Sequence, residues 1–225
     1  MRGERWRDGS WGEVVRVPGG GDVHVLDEGG LFGAEKGSGY GMDDLGYLLS
    51  LMIVYGGLRD VGVRLGEVVL VASATGSFGG AAVHVALALG ARVTAMGRNA
   101  GVLEELVEGG RKGYPQGMVT GLVMSGEFEG DLEGIRKAAR ALGAREGAVD
   151  VYFDMSPLNA SKSPHIKAGI AALGAGGRMS LMGGAAGNVG FSCYQTMVKE
   201  LRPQGRWMFT PEKVDEVTRL VETGN

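Results

Sequence analysis

The sequence has few of the residues that build disulfides and metal sites. It contains a single cysteine, Cys193, and three dispersed histidines, His24, His84 and His165. One cysteine excludes an intrachain disulfide and favours a reducing compartment. A catalytic zinc needs about three protein ligands and a structural zinc about four, usually with clustered cysteines. We therefore predict no metal site and expect the three histidines to be structural.

The sequence also lacks an excess of either charge and a long apolar run. Lysine and arginine number 23 against 26 acidic residues, a formal net charge of −3, so nothing draws the chain generally to nucleic acid or anionic membranes. Its most apolar stretch, residues 48–55, is much shorter than the ~20 residues that cross a bilayer. The N-terminus shows no apolar signal-peptide core. We expect a cytoplasmic protein that binds neither nucleic acid nor membrane.

Glycine is abundant, with 43 residues among 225, and it separates apolar runs of strand and helix type. The patterns predict strands at Val68–Ala72, Arg92–Met96, Gly121–Met124, Val149–Asp154, Arg178–Met182 and Arg206–Met208. They predict helices at Met42–Asp60, Gly79–Leu89, Ala100–Glu108, Asp131–Leu142, Pro164–Leu173, Tyr194–Leu201 and Pro211–Glu222. This alternation predicts an α/β fold, a doubly wound, six-stranded parallel Rossmann sheet with helices on both faces. Two short runs, Gly12–Val17 and Asp22–Leu26, are predicted as small strands that precede it.

The most informative segment follows the first strand of that sheet. The apolar run Val68–Ala72 leads into a loop of small residues and then an Ala-rich helix. Small side chains let a backbone approach a pyrophosphate closely, and a helix N-terminus favours its negative charge. We therefore predict that Thr75, Gly76, Ser77 and Phe78 lie beside the pyrophosphate of a dinucleotide. Ser73 and Gly79 complete the predicted cofactor-binding turn, where Gly79 lets the helix pack closely on the sheet.

The residues after the other central strands complete the predicted cofactor site. Arg98 lies about 20 residues beyond the loop, where an acidic residue would bind the ribose of NAD. Its planar fork suits the 2′-phosphate of NADP instead, although a solvated loop cation is the open alternative. Asn99 is predicted beside the same ribose. Asp154 and Gly183 are predicted to edge the nicotinamide half, with a turn cap and a simple turn as their alternatives.

These motifs resemble the medium-chain dehydrogenase/reductases, and most of all the alcohol dehydrogenase-like and quinone reductase-like branches. The likeness runs through residues 65–83 and 88–99, and it includes the segment Tyr55–Asp60 before the first strand. It continues at Gly177–Met179 with Gly183-Gly184 and at Gly205–Met208. One departure is Ser73, which stands where the family usually has the first glycine of the turn.

The resemblance implies a domain organisation. Residues 1–41 would be a remnant of a β-rich catalytic domain, residues 42–66 a linking helix, and residues 67–225 the NADP-binding Rossmann domain. Apolar surface exposed at the former domain interface would favour self-association into a homo-oligomer. The resemblance also places Tyr55 towards the nicotinamide, where its phenol would act catalytically by donating a proton or by orienting a carbonyl. A packed position on a helix face is the open alternative for Tyr55.

The function that follows is an NADP-dependent, zinc-independent oxidoreductase acting on a small molecule. It would transfer a hydride to or from a carbonyl, an alcohol or an activated alkene. The sequence offers no Tyr-x-x-x-Lys pair and no Gly-x-Ser-x-Gly elbow for another chemistry. Two alternatives stay open, because a fold does not fix a function. They are a dinucleotide-binding member with little or no catalysis, and a non-redox pathway protein on the same scaffold.

Overall fold

The computed structural model describes residues 26–32 and 39–222. The chain divides into two compact units, of which the larger is Gly46–Phe209 and the smaller combines the segments before and after it. The predicted strands Gly12–Val17 and Asp22–Leu26 lie outside the described residues, apart from Leu26. Along the described chain, no helix is long and apolar enough to cross a bilayer.

Strands and helices alternate through the larger unit. The strands are Val68–Ala72 (β1), Arg92–Gly97 (β2), Val119–Val123 (β3), Val149–Asp154 (β4), Leu173–Leu181 (β5) and Arg202–Gly205 (β6). The helices of the described chain are Glu28–Phe32 (α1), Met42–Asp60 (α2), Ser77–Ala88 (α3), Ala100–Gly113 (α4), Phe128–Ala141 (α5), His165–Ala172 (α6), Cys193–Val198 (α7) and Pro211–Glu222 (α8). Short 3-10 helices occur at Arg145–Gly147 and Leu158–Lys162.

The strands form one parallel sheet in the order β3-β2-β1-β4-β5-β6. Ala72, the last residue of β1, pairs with Met96 of β2 and with Asp154 of β4. The strands therefore end together, and the loops that follow them meet along the carboxyl edge of the sheet. The chain order reverses between β1 and β4, and ligands of doubly wound sheets bind at such a switch point.

Helices cover both faces of this sheet, as predicted. The α5 and α6 helices pack over alternate residues of the strands, among them Leu70, Tyr152 and Met179. The opposite face of β4 and β5 meets α2, because Phe153 and Ser180 crowd the α-carbon of Gly57. The α3 and α4 helices pack along β1, β2 and β3. Strands buried on both faces explain the unbroken apolar run in β1 and the apolar run Val151–Phe153 in β4.

The sixth strand differs from its prediction. It is Arg202–Gly205, whose residues are all exposed, and not Arg206–Met208. The strand lies at the edge of the sheet and pairs only with β5 among the described strands, so it needs no apolar side chains. An edge position also tolerates Pro203, which cannot donate a ladder hydrogen bond. The apolar Trp207 beyond it is 88% exposed. The apolar residues on which the prediction of a strand at Arg206–Met208 relied therefore do not mark a buried strand.

The smaller unit joins α1 to α8. Leu31 of α1 and Val214 and Val217 of α8 are buried, and Glu222 Oε1 accepts a hydrogen bond from the Asp27 amide at 2.9 Å. Most of α2 belongs to the larger unit, and α8 belongs to the smaller. The division into a catalytic-domain remnant, a linking helix and a Rossmann domain stays a prediction.

Candidate active site

The candidate site is the crevice at the switch point between β1 and β4. The loop after β1 is tied to both neighbouring strands, since the Ala74 amide donates to Met96 O at 2.8 Å and Ala72 O accepts from the Met155 amide at 2.6 Å. The Met182 amide in turn donates to Asp154 O at 3.1 Å. Backbone hydrogen bonds thus hold the loops after β2, β1, β4 and β5 side by side.

The loop after β1 has the features of an anion site. Gly76, Ser77 and Phe78 are exposed at the start of α3, where no side chain caps the helix and no acidic residue lies in the first turn. The amides of this turn therefore lack side-chain partners and lie at the positive end of the helix dipole. Thr75 and Ser73 are half-buried beside them.

Gly79 brings α3 against this loop. A β-carbon there would collide with Ser73 O and would lie 2.8 Å from the Ala74 α-carbon. Only glycine allows this approach, which places the first turn of α3 directly over the end of β1. Ser73 itself takes part through its backbone oxygen, so its place in the family's usual glycine position leaves this contact intact.

The tip of β2 adjoins the same loop. Thr75 covers Gly97 so closely that a β-carbon at Gly97 would lie 2.6 Å from Thr75 Cγ2. Arg98 and Asn99 follow and are exposed. Asn99 Oδ1 accepts a hydrogen bond from the Val102 amide at 3.3 Å and caps α4. Arg98 thus stands beside the loop with an exposed, charged side chain.

Asp154 is placed at the edge of the crevice, but its carboxylate faces inward. It is only 4% exposed, and its Oδ1 accepts hydrogen bonds from Tyr152 Oη at 2.9 Å and Ser156 Oγ at 2.5 Å. The carboxylate is therefore part of a buried polar network that lies behind the edge of the crevice. The sequence did not indicate this network, and a place for Asp154 beside the nicotinamide half, or as a helix or turn cap, stays a prediction.

His165 extends the network to α6. Its Nε2 lies 2.8 Å from Ser156 Oγ and its Nδ1 lies 2.6 Å from Ser163 Oγ. Because a carboxylate can only accept, Ser156 donates to Asp154, and we assign His165 as the tautomer that donates from Nε2 to Ser156. Ser163 then donates to Nδ1. The network links β4, the loop after it and α6, and each of its hydrogen bonds has a defined donor and acceptor.

Burial shifts two titratable groups of this network. It raises the pKa of Tyr152 well above 10, and the charge of Asp154 and the hydrogen bond to it act in the same direction. Burial also lowers the pKa of His165, an effect that the charges of Asp154 and Asp131 oppose and that of Arg98 reinforces. Both shifts keep the groups neutral at physiological pH, in agreement with the assigned tautomer.

Gly183 closes the network from the β5 side. A β-carbon there would collide with Asp154 Oδ2 and would lie 2.5 Å from the Ser156 amide nitrogen. Ser156 O accepts the Gly184 amide at 2.8 Å. Close packing against the loop after β4 thus requires glycine at this position, whether or not the segment also forms a turn.

Tyr55 lies in α2 and is only 7% exposed. The guanidinium carbon of Arg59 lies 5.9 Å from its ring centroid. The neighbouring Gly57 packs against Met182, after β5, and Gly56 packs against Phe209. The helix therefore passes the carboxyl end of β5, and the Tyr55 side chain is buried there. The catalytic role of Tyr55 stays a prediction.

A second contact of α2 was not foreseen. Ser50 is buried, and its Oγ lies 3.3 Å from Oγ of Ser77, the first residue of α3. Ser50 lies in a predicted helix and Ser77 in the predicted loop after β1. Helical spacing does not indicate that these two side chains meet. The contact makes α2 a support for the anion site.

The two histidines that the structure describes, His84 and His165, lie in different helices. Within residues 26–32 and 39–222, no three histidine, cysteine, aspartate or glutamate side chains form a cluster that could hold a metal. His84 is half-buried on α3, and its ring lies 6.2 Å from that of Tyr114, centroid to centroid.

Solved structures provide the comparison for this fold. No protein-family model and no curated protein sequence matches the chain. A structure of AibC is 26% identical, with a TM-score of 0.61, over 79% of this chain and 45% of its own. A thermostable alcohol dehydrogenase from Pyrobaculum aerophilum is 21% identical, with a TM-score of 0.62, over 82% and 48%.

A third similar structure is the quinone oxidoreductase from Thermus thermophilus, which was also solved with NADPH. It is 24% identical, with a TM-score of 0.53, over 78% of this chain and 50% of its own. The chain thus spans about half the length of the proteins to which it is similar. It shares the fold of the medium-chain alcohol dehydrogenases and quinone oxidoreductases, which confirms the resemblance found in its sequence.

Proposed function

We propose that the crevice binds NADP and that the chain is the cofactor-binding part of a zinc-independent oxidoreductase. One observation carries the proposal. Gly79 lets the uncapped start of α3 press against the end of β1, and Arg98 stands exposed at the neighbouring tip of β2. A pyrophosphate and a 2′-phosphate need this combination of free amides and an adjacent guanidinium.

The residues fit the two halves of the cofactor unequally. The first turn of α3, from Ser77 to Gly79, would hold the pyrophosphate through backbone amides. Arg98 would pair with the 2′-phosphate by two parallel hydrogen bonds. The other half would extend over β4 and β5, on the opposite side of β1 from Arg98, where Met155 and Gly183 are partly exposed.

The similar structures support the cofactor class. The quinone oxidoreductase of similar fold was solved with NADPH, and a crotonyl-CoA carboxylase/reductase of similar fold was solved with NADP. A bound nicotinamide would supply or accept the hydride for a carbonyl, an alcohol or an activated alkene. The part of this chain would be to orient the cofactor and to keep one face of the ring open to a substrate.

The choice of NADP over NAD is tested by replacing Arg98 with glutamate. We expect Arg98→Glu to weaken NADPH binding by about tenfold to a hundredfold, because a charge-assisted pair is replaced by repulsion. Binding of NADH, which has no 2′-phosphate, should change by less than about threefold. Isothermal calorimetry with both nucleotides on the 225-residue chain measures the difference.

The matched control is Arg145→Glu, which makes the same change of net charge. Arg145 is exposed in the 3-10 helix before β4, at the amino edge of the sheet and away from the crevice. It should leave both affinities unaltered. Equal losses of NADPH and NADH in Arg98→Glu would refute the phosphate contact, and equal losses in both variants would show a general effect of charge.

A further inference from the structure

The wall of the crevice on the β4 side depends on a side chain that lies outside it. This wall is the loop Met155–Pro157, which follows β4. The Met155 amide is fixed on Ala72 O, and Ser156 O is fixed by the Gly184 amide. These two backbone hydrogen bonds, to β1 and to the loop after β5, set the position of the loop along the sheet. How closely the loop packs against α6 depends on the side chain of Ser156.

Ser156 is buried, with 1% of its surface exposed, and its hydroxyl connects two groups. It donates to Asp154 Oδ1, and its remaining lone pairs face His165 Nε2 at 2.8 Å. His165 is 2% exposed and is held in turn by Ser163. A buried network in which each member is satisfied has one low-energy arrangement, and here that arrangement fixes Ser156.

Removing the imidazole would leave polar atoms unpaired and a space at the N-terminus of α6. The loop would then relax part of the way towards that space, as the surroundings of a lost core side chain do. Met155 and Gly183, which packs on Ser156, would move with it. The α3 turn and Arg98 are anchored elsewhere, through Gly79 and through Asn99, and would stay in place.

We propose that His165 is a positioning residue for the nicotinamide half of the cofactor, acting through Ser156. This role rests on the proposed function, because it assumes that the crevice binds a dinucleotide with its adenosine half at Arg98. His165 touches no part of the ligand in this account. It determines the shape of the wall against which the nicotinamide half lies.

The role predicts a loss that depends on which half of the ligand is present. Adenosine 2′,5′-bisphosphate carries the adenosine, the 2′-phosphate and one 5′-phosphate, and it lacks the nicotinamide half. We expect His165→Leu to weaken NADPH binding by about tenfold, while its affinity for the bisphosphate changes by less than about twofold. The measured quantity is the ratio of the two dissociation constants, by calorimetry on the full 225-residue chain.

Three further variants control the experiment. His165→Gln keeps an N–H donor for Ser156 and should restore the wild-type ratio to within about threefold. Ser156→Ala removes the link with a minimal change of volume, so it should show the selective loss even where His165→Leu fails to fold. His84→Leu removes a histidine of α3 away from the network and should leave the ratio unchanged.

The outcomes separate the two proposals. A wild-type chain that binds neither NADPH nor the bisphosphate refutes the proposed function and, with it, this role. Equal fractional losses of both ligands in His165→Leu and Ser156→Ala would overturn the positioning role and leave the cofactor site standing, because a general structural defect weakens both. A selective loss of NADPH that His165→Gln repairs supports the role.

Discussion

At the scale of single residues, the notable feature is a histidine that is neutral because it is buried. His165, the first residue of α6, is buried against the loop after β4, where burial and the charge of Arg98 disfavour its protonated form more than Asp154 and Asp131 favour it. Its pKa in the folded chain is therefore below the usual value of 6.5. In the unfolded chain the imidazole regains its ordinary pKa and binds a proton more readily.

The shift predicts a dependence of stability on pH. Between its folded and unfolded pKa values, the unfolded state binds more protons, so the contribution of His165 is complete above about pH 6.5 and is lost as the pH falls below it. We expect the free energy of unfolding in urea to decrease from about pH 7.5 to about pH 5.5. The decrease should be smaller in His165→Gln, which cannot titrate. An equal decrease in both proteins would contradict the assignment.

The residues of the site were predictable where local chemistry decides their role. Thr75, Gly76 and Gly79 follow an apolar strand directly, and the loop that they form requires small side chains wherever a helix starts against a sheet. The network of Asp154 was not predictable in this way. Ser156 and His165 are separated by a 3-10 helix of undistinguished sequence, and their contact results from how α6 returns onto β4.

At the scale of secondary structure elements, the contact of α3 with β1 matters most for the site. The Ser73 backbone occupies the space that a methyl group at position 79 would need, and a backbone cannot rotate away as a side chain can. By contrast, Gly109 lies on the exposed face of α4, and beyond the backbone of its own helix no atom lies within 4 Å of an added β-carbon. The two glycines share a helical conformation and differ in their surroundings.

The pair makes a direct test of this contact. We expect Gly79→Ala to lower the free energy of unfolding by about 1–3 kcal/mol, because the methyl group forces α3 away from the strand. Gly109→Ala should raise it by about 0.5–1 kcal/mol, because alanine loses less backbone entropy in a helix. Denaturation in urea measures both. A gain of stability in Gly79→Ala would show that the helix does not depend on this close approach.

Elements were predictable where burial is continuous and less so at the edge of the sheet. The bounds of β1, β4, α2 and α8 agree with their predictions, since apolar runs and capping residues define them. The β5 strand begins at Leu173, five residues before its prediction, because pairing with Val149 recruits a glycine-rich segment that has no strand pattern. The exposed β6 strand has no apolar pattern at all.

At the scale of the whole molecule, the order of the strands brings the site together. Residues from four loops, far apart in the sequence, meet because β1 lies between β2 and β4 and all strands end at one edge. Their convergence followed from the predicted fold and needed no motif beyond the first loop. The sequence signals a helix at Met42–Asp60 without indicating which compact unit buries it, and the predicted domain organisation stays a prediction. Self-association of the chain stays a prediction.

The central claim is that the switch-point crevice binds a dinucleotide phosphate, and Gly76→Asp tests it most directly. Gly76 precedes α3 with an ordinary extended backbone, and only Ser73 O lies near an added β-carbon, at 3.9 Å. Aspartate at this position would cap the helix and preserve or slightly raise the thermal midpoint of unfolding. The same carboxylate would repel a bound pyrophosphate. Gly76→Asn is the neutral control, because it caps the helix equally without the charge.

Calorimetric titration of NADPH into these three proteins is the decisive measurement. We predict micromolar binding to the wild-type chain, and binding to Gly76→Asp that is at least about tenfold weaker than binding to Gly76→Asn. Thermal unfolding should show that both variants are at least as stable as the wild type. Equal NADPH affinities in the aspartate and asparagine variants, or no binding to the wild-type chain, would contradict the account.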